Sequence, residues 1–222
     1  MVKTLEIKKN CDYQIDSLLT EETLLTKGSE SFLFRSTFLG QDCIIKERRP
    51  KAYRLKVIDE EIRLSRMRLE SRLIKTLLKR NMNVPSLLGV DYGNKRLILQ
   101  FIEGELFSKK INETQLHFKV GQFVASLHNM DIIHSDLTPL NIIVTNKNEV
   151  YLIDFGLAYF SDELKDKVMD LFIYAGSLKL YNATSNFKEF LEGYSELTEH
   201  GKFKQITDEL EILSQKGRYK KS

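Results

Sequence analysis

Three polar side chains in the middle of this sequence have the types and spacing that phosphoryl transfer needs. Asp136 and Asn141 lie in Ile133-His134-Ser135-Asp136-Leu137-Thr138-Pro139-Leu140-Asn141, and Asp154 stands in Ile153-Asp154-Phe155-Gly156. A carboxylate such as Asp136 can accept the proton of an attacking hydroxyl. The oxygens of Asn141 and Asp154 are the hard donors that Mg²⁺ takes when it bridges phosphates. Between the two segments, Glu149 to Leu152 reads as a strand. Upstream, Lys46 closes the apolar run Cys43-Ile44-Ile45-Lys46. A buried ammonium there needs an orienting anion. Glu70, in Arg68-Leu69-Glu70-Ser71-Arg72, is the candidate. A surface pair with Arg66, one helical turn earlier, is the plainer alternative for Glu70. Glu60 and Glu61 are rivals for Lys46, but they sit near a helix start, where the dipole already favours acids.

The H-x-D-x-x-x-x-N and D-F-G pair resembles the protein-kinase signature set, and the Lys46 strand resembles its V-A-I-K strand. On that resemblance Lys46 pairs the α- and β-phosphates of ATP, Asp136 is the base, and Asn141 and Asp154 hold Mg²⁺. Lys27-Gly28-Ser29-Glu30-Ser31 stands where kinases carry G-x-G-x-x-G, with one glycine in place of three. Taken alone it is an ordinary β-turn. Its place before Lys46 makes it a candidate phosphate cover, acting through the backbone N–H groups of Gly28, Ser29, Glu30 and Ser31 with help from the Ser hydroxyls. The adenine is expected on the backbone of Gln100 and Ile102. His134 is given a structural role under the loop, since Asp136 already supplies the base. Asp170 is expected to anchor the same loop from a neighbouring helix, with a solvated helix face as the alternative. His117, His128 and His200 need no functional explanation.

The elements that must position these groups can be outlined. Glu22 to Lys27, Ser31 to Phe38 and Asp42 to Lys46 read as strands separated by turn signals at Gly28-Ser29 and Gly40-Gln41. A basic, Pro-containing loop from Arg48 to Lys56 follows. Ile58, Ile62, Leu69, Leu73 and Leu77 then recur at helical spacing. Leu97 to Phe101 is another strand. Asn112, with Gln115 at the capping-box position, opens a helix whose stripe is Leu116, Val120, Phe123, Val124 and Leu127. Ile142 to Val144 and Val150 to Ile153 form a hairpin. Lys165 to Tyr181, Phe187 to Leu197 and Phe203 to Gln215 read as helices. This order predicts an α+β, two-lobe protein-kinase-like fold with a minimal C-lobe. Residues 1–101 form the N-lobe, 102–215 the helical C-lobe and 216–222 a basic tail, with a hinge near Gln100 to Gly104.

Bulk properties agree with an enzyme domain. The 222 residues are 42% hydrophobic and 29% charged, a globular composition. No apolar run approaches the ~18 residues that would mark a membrane span. The start Met1-Val2-Lys3-Thr4 lacks signal-peptide features, and Cys11 and Cys43 show no metal-like pairing, so a cytoplasmic setting is expected. A net charge of +3 makes no strong claim on nucleic acid.

Departures from ordinary kinases define a subtype. Ser135 replaces the Arg that pairs with a phosphorylated activation loop. No A-P-E motif follows Gly156, and helical sequence resumes soon after, so there is no room for an extended activation segment. Activity strictly dependent on phosphorylation between Gly156 and Asp170 would contradict this. Lys46-Glu47-Arg48-Arg49-Pro50-Lys51-Ala52-Tyr53-Arg54, Glu70-Ser71-Arg72, His134 to Asn141, Asp154 to Ala158, Asp166-Lys167 to Asp170 and Lys216-Gly217-Arg218 together resemble the PRPK family, the small kinase/ATPase subunit of the KEOPS complex. The resemblance spans nearly the whole chain. Members often read H-G-D-L-T-T-S-N and G-A-E-A, where this chain has Ser135, Pro139-Leu140 and Gly28-Ser29-Glu30-Ser31. It implies an atypical Ser/Thr kinase and ATPase using Mg-ATP in tRNA threonylcarbamoyl-adenosine synthesis. The modification subunit would dock on the C-lobe and a small subunit on the N-lobe. The basic runs Lys46 to Lys56 and Arg63 to Arg80, with Lys216, Arg218, Lys220 and Lys221, would then meet tRNA or the partner. Solvated faces and a frayed terminus are the plain alternative.

Other functions compete. A RIO-like free-standing kinase shares the small size and the missing A-P-E, but usually lacks D-F-G. An aminoglycoside-type phosphotransferase usually has an Asp-Trp type motif in its place. A pseudokinase scaffold is non-catalytic and would not need Lys46, Asp136, Asn141 and Asp154 together.

Overall fold

The computed structural model of the chain describes residues 15 and 17–219, with side chains as far as 215. The chain divides into two compact units between Ile102 and Glu103.

The first unit is built on an antiparallel sheet of β1 (Thr23–Lys27), β2 (Phe32–Phe38), β3 (Gln41–Glu47), β4 (Leu87–Asp91) and β5 (Arg96–Gln100), in the order β1-β2-β3-β5-β4. Alternation along β3 decides what faces the core. Cys43 and Ile45 are fully buried and pack with Ile98, while Phe34, Phe38 and Leu88 border them. The expected strands lie within a residue or two of these bounds. β4 is an addition to them: it is short, holds Gly89 and shifts register between Leu87 and Gly89.

α1 (Lys56–Lys79) follows β3. Its buried set differs from the expected stripe. Met67, Glu70, Ser71, Leu73, Ile74 and Leu77 face inward, whereas Ile58 is half exposed. The first turn is tied by a polar group instead: Asp59, buried, accepts from Arg63 at 2.7 Å and lies 3.5 Å from Arg54.

The second unit is mainly helical: α2 (Thr114–His128), α3 (Leu164–Leu178), α4 (Phe187–Glu196) and α5 (His200–Tyr219). Short strands carry the loops. β6 (Glu105–Leu106) pairs β8 (Ile142–Val144), which pairs β9 (Val150–Leu152). β7 (Ile132–Ile133) pairs β10 (Tyr159–Phe160). The capping box expected at Asn112 is absent. A turn closed by Glu113 N–H on Lys110 O intervenes, and the helix begins at Thr114 without a side-chain cap. α5 also starts earlier than its apolar residues indicate, at His200 rather than Phe203. The core is aromatic: Phe107, Tyr174, Phe190 and Tyr194 are completely buried. Among the described residues, no helix is long and apolar enough to cross a membrane.

Candidate active site

In the first unit the site grows from the end of β3. Lys46 and Arg48 are two apart, so strand geometry turns both to one face. Both reach Glu70 on α1, Lys46 Nζ to Oε1 at 2.5 Å and Arg48 Nη2 to Oε2 at 2.5 Å. All three side chains are at least nine-tenths buried. Each Glu70 oxygen thus has its own cation, which is what makes a buried carboxylate tolerable. Arg48 Nε is buried with no hydrogen-bond partner among the described residues. The rivals fall away. Glu60 lies 3.3 Å from Lys95, Glu61 is exposed, and Arg66 turns to Glu30 rather than Glu70. Arg48 is a site residue that motif matching does not single out. The Lys46-x-Arg48 spacing, which puts both cations on one strand face, is the signal that could have found it.

The turn between β1 and β2 carries Gly28 to Ser31. Gly28 N–H donates to Ser31 O at 3.0 Å, closing the turn on itself. This corrects the expectation that all of the turn's N–H groups face a phosphate, since the Gly28 donor is already used. Glu30 binds Arg66 at 2.6 Å and lies 3.9 Å from Lys51 Nζ, while Lys51 also donates to Ser29 O. Ser31 is buried. At the other end of the sheet, Gln100 N–H donates to Ser86 O at 2.8 Å, so a base could use only the Gln100 carbonyl. Ile102 is buried at the edge of the unit.

In the second unit the loop after β7 is held by one carboxylate. Asp170, fully buried on α3, accepts the N–H of His134 and of Ser135, each at 2.7 Å. His128 Nε2 lies 3.3 Å from the same group. An ionised carboxylate only accepts, so His128 carries its proton on Nε2, and its Nδ1 accepts from Tyr194 O–H at 2.8 Å. Burial holds His128 below the usual imidazole range despite Asp170. Burial also pushes the Tyr194 phenol up. His134 is buried beneath the loop. Its Nε2–H donates to Ile153 O at 3.1 Å, and its Nδ1 accepts Asp136 N–H at 3.3 Å.

Asp136 and Asn141 are joined directly. Asn141 Nδ2 donates to Asp136 Oδ2 and to Asp136 O, each at 2.8 Å. Its backbone ties to the hairpin through Ile153 N–H on Asn141 O at 2.9 Å. Ser135 and Asp154 adopt φ of 67° and 62°, left-handed values that Asp tolerates and Ser seldom adopts. At Ser135 this conformation accompanies the N–H bond to Asp170. Asp154 Oδ1 accepts Gly156 N–H at 3.1 Å. The donor set suits Mg²⁺. With both Asn141 amide hydrogens directed at Asp136, its Oδ1 is the atom left for a cation, and Asp154 adds carboxylate oxygen. The side chains of Lys216, Arg218, Lys220 and Lys221, and all of Cys11, lie outside the described residues.

The protein kinase domain model matches residues 42–185, well over half of the chain. The chain belongs to the protein kinase domain family. The matched span contains Lys46, Glu70, Asp136, Asn141, Asp154 and Asp170, while the Gly28 turn precedes it. This kinase domain is similar to a probable bifunctional tRNA threonylcarbamoyladenosine biosynthesis protein of Methanobrevibacter smithii. The two are 38% identical over 202 residues, which is 89% of this chain and 37% of the relative. The protein of the same description from Methanothermobacter thermautotrophicus is 35% identical over 199 residues, 88% of this chain and 36% of the relative. The EKC/KEOPS complex subunit bud32 of Dictyostelium discoideum is 34% identical over 162 residues, 68% of this chain and 64% of the relative. The kinase domain thus spans a little over a third of the length of the archaeal relatives. Over two thirds or more of its length the kinase domain is thus similar both to the KEOPS subunit and to the tRNA threonylcarbamoyladenosine biosynthesis proteins.

Proposed function

We propose that the chain is a Mg-ATP-dependent atypical Ser/Thr kinase and ATPase, acting with KEOPS subunits in tRNA threonylcarbamoyladenosine synthesis in the cytoplasm. The observation that carries the phosphoryl-transfer reading is the Asp136–Asn141 pair on a loop fixed from beneath by Asp170. Fixed groups of this kind supply catalysis by positioning, which is most of what phosphoryl transfer requires. Asp136 Oδ accepts the proton of the attacking hydroxyl or water. Asn141 holds that carboxylate in place and would hold Mg²⁺ together with Asp154. Lys46, oriented by Glu70, binds the α- and β-phosphates. The Gly28–Ser31 turn covers the phosphates, and Gln100 and Ile102 take the adenine through their backbone. Mg²⁺, when bound, neutralises the charge that develops on the phosphates.

The partner assignments rest on the relatives' names and on the family resemblance. The modification subunit would meet the C-lobe, a small subunit the N-lobe, and tRNA the basic surface, with the tail from Lys216 reaching tRNA or the partner. Ion pairs within the first unit narrow that basic surface. Lys46 and Arg48 serve Glu70, Arg49 pairs with Glu47, and Arg54 and Arg63 serve Asp59.

The deciding measurement is ATP hydrolysis by the purified chain, alone and with the modification subunit plus tRNA, beside Asp136→Ala. Turnover should depend on Asp136 and rise with both additions. Autophosphorylation with no response to either would leave a free-standing kinase. Absence of turnover in every mixture, with no Mg-dependent thermal stabilisation by nucleotide, would leave a scaffold.

A further inference from the structure

Two cations from different elements converge on the turn between β1 and β2, and one carboxylate of that turn occupies both. Lys51 comes from the loop after β3, and Arg66 from the middle of α1. Arg66 lies one helical turn before Glu70, the residue that orients Lys46. Glu30 holds Arg66 at 2.6 Å and stands 3.9 Å from Lys51, whose Nζ also donates to Ser29 O. These groups are not sealed: the side chains of Glu30, Arg66 and Lys51 retain 39%, 32% and 18% exposure. An anion arriving from solvent can therefore compete with Glu30 for both cations. Partly exposed pairs of this kind are also weak, so the competition is not steep.

We propose that Lys51 and Arg66 are a second phosphate-binding pair, and that Glu30 is a built-in stand-in for the phosphate they bind. A guanidinium takes carboxylate and phosphate oxygens in the same forked geometry, so one can replace the other without rearranging Arg66. A polyphosphate brings more negative charge than one carboxylate, so it can displace Glu30. Lys51 then gives up the Ser29 carbonyl, and the turn is released as the phosphates bind. Where typical kinases rely on a glycine-rich loop, this turn has one glycine and is held by ion pairs. The proposal rests on the nucleotide reading of the first unit, but its ligand is the polyphosphate rather than the base.

The two ends of one ion pair then have opposite effects. Glu30→Gln removes the competitor and leaves both cations, so polyphosphate should bind about threefold more tightly. Arg66→Gln removes a ligand and leaves the Glu30 charge facing the phosphates, so binding should weaken about fivefold. Lys51→Gln should follow Arg66→Gln. Adenosine, without phosphates, should bind all four forms alike. Calorimetry with Mg-ATP, tripolyphosphate and adenosine on the full chain reads these constants, and circular dichroism checks that each variant is folded. Equal weakening by Glu30→Gln and Arg66→Gln would reduce the pair to a structural clasp and overturn the proposal. So would no change in either variant while the wild type binds ATP, a result that leaves the nucleotide reading intact. Tripolyphosphate binding with the opposite-sign pattern, but no added affinity from adenine, would sink the nucleotide reading and keep this one. A wild type that binds neither ligand defeats both.

Discussion

Asp170 shows how one side chain can set the state of several others. It takes the N–H groups of His134 and Ser135 and the Nε2–H of His128, and these contacts fix the loop carrying Asp136. His128 is thereby locked as a neutral tautomer. His117 is locked in the same way, its Nε2–H on Ile111 O at 2.7 Å and its Nδ1 receiving Tyr174 O–H at 2.8 Å. Burial holds both imidazoles below their ordinary range. In the unfolded chain each would titrate near ~6.5. As pH falls through that value the unfolded state takes up protons first, and stability is lost. The midpoint of urea unfolding should therefore drop between about pH 7 and pH 5.5. His117→Gln, which removes one titrating group, should flatten that slope even if it lowers stability at every pH. An unchanged slope in the variant would mean that His117 is not held neutral.

At the scale of elements, the strongest constraint is the crossing of α2 and α4. A Cβ on Gly121 would lie well under 3.0 Å from Phe190 O, and one on Gly193 equally close to Phe118 O. Both obstacles are backbone, which cannot swing aside. Gly121→Ala and Gly193→Ala should each cost about 3 kcal/mol or more, through the forced separation of the helices. Gly176, on α3, meets nothing within 4 Å. Gly176→Ala should instead stabilise by about 0.5–1 kcal/mol, because alanine restricts the unfolded chain. Thermal melts of the three variants check this, and equal effects at Gly121 and Gly176 would contradict the close crossing. Such a crossing is not legible in the sequence, since a glycine in a helical run looks the same whether it faces a partner or solvent. What is legible is tied to an apolar pattern or a motif: the apolar run of β3, the stripe of α2, and the segments around Asp136 and Asp154. The start of α1 departs from its apolar pattern because Asp59 and its arginines, not Ile58, hold it. β4 escapes notice because a five-residue strand with a glycine and a bulge has no clean alternation. The Glu30 contacts are hidden because Lys51 and Arg66 are far from it in sequence and meet it only through the fold.

At the scale of the whole molecule, charge is informative only after the ion pairs are subtracted. The net charge of +3 and the basic run from Lys46 onward point loosely to a polyanion. Most of that run is turned to carboxylates inside the first unit, as Arg48, Arg54 and Arg63 show. A row of solvent-facing cations lies further along α1. Arg68, Lys75 and Lys79 are all exposed and fall at helical spacing, so they share one helix face. On the proposed function, this face is better suited to tRNA phosphates than the loop that precedes α1. Each phosphate contact releases counterions, so removing contacts lowers the dependence of affinity on salt. Replacing Lys75 and Lys79 together by Gln should weaken tRNA binding at low salt and reduce the slope of log K against log salt by about one to two. Arg54→Gln should leave the slope unchanged, since its guanidinium already serves Asp59. Filter binding across a salt series separates the two. A slope that responds to Arg54 and ignores Lys75 and Lys79 would move the tRNA contact back to the loop.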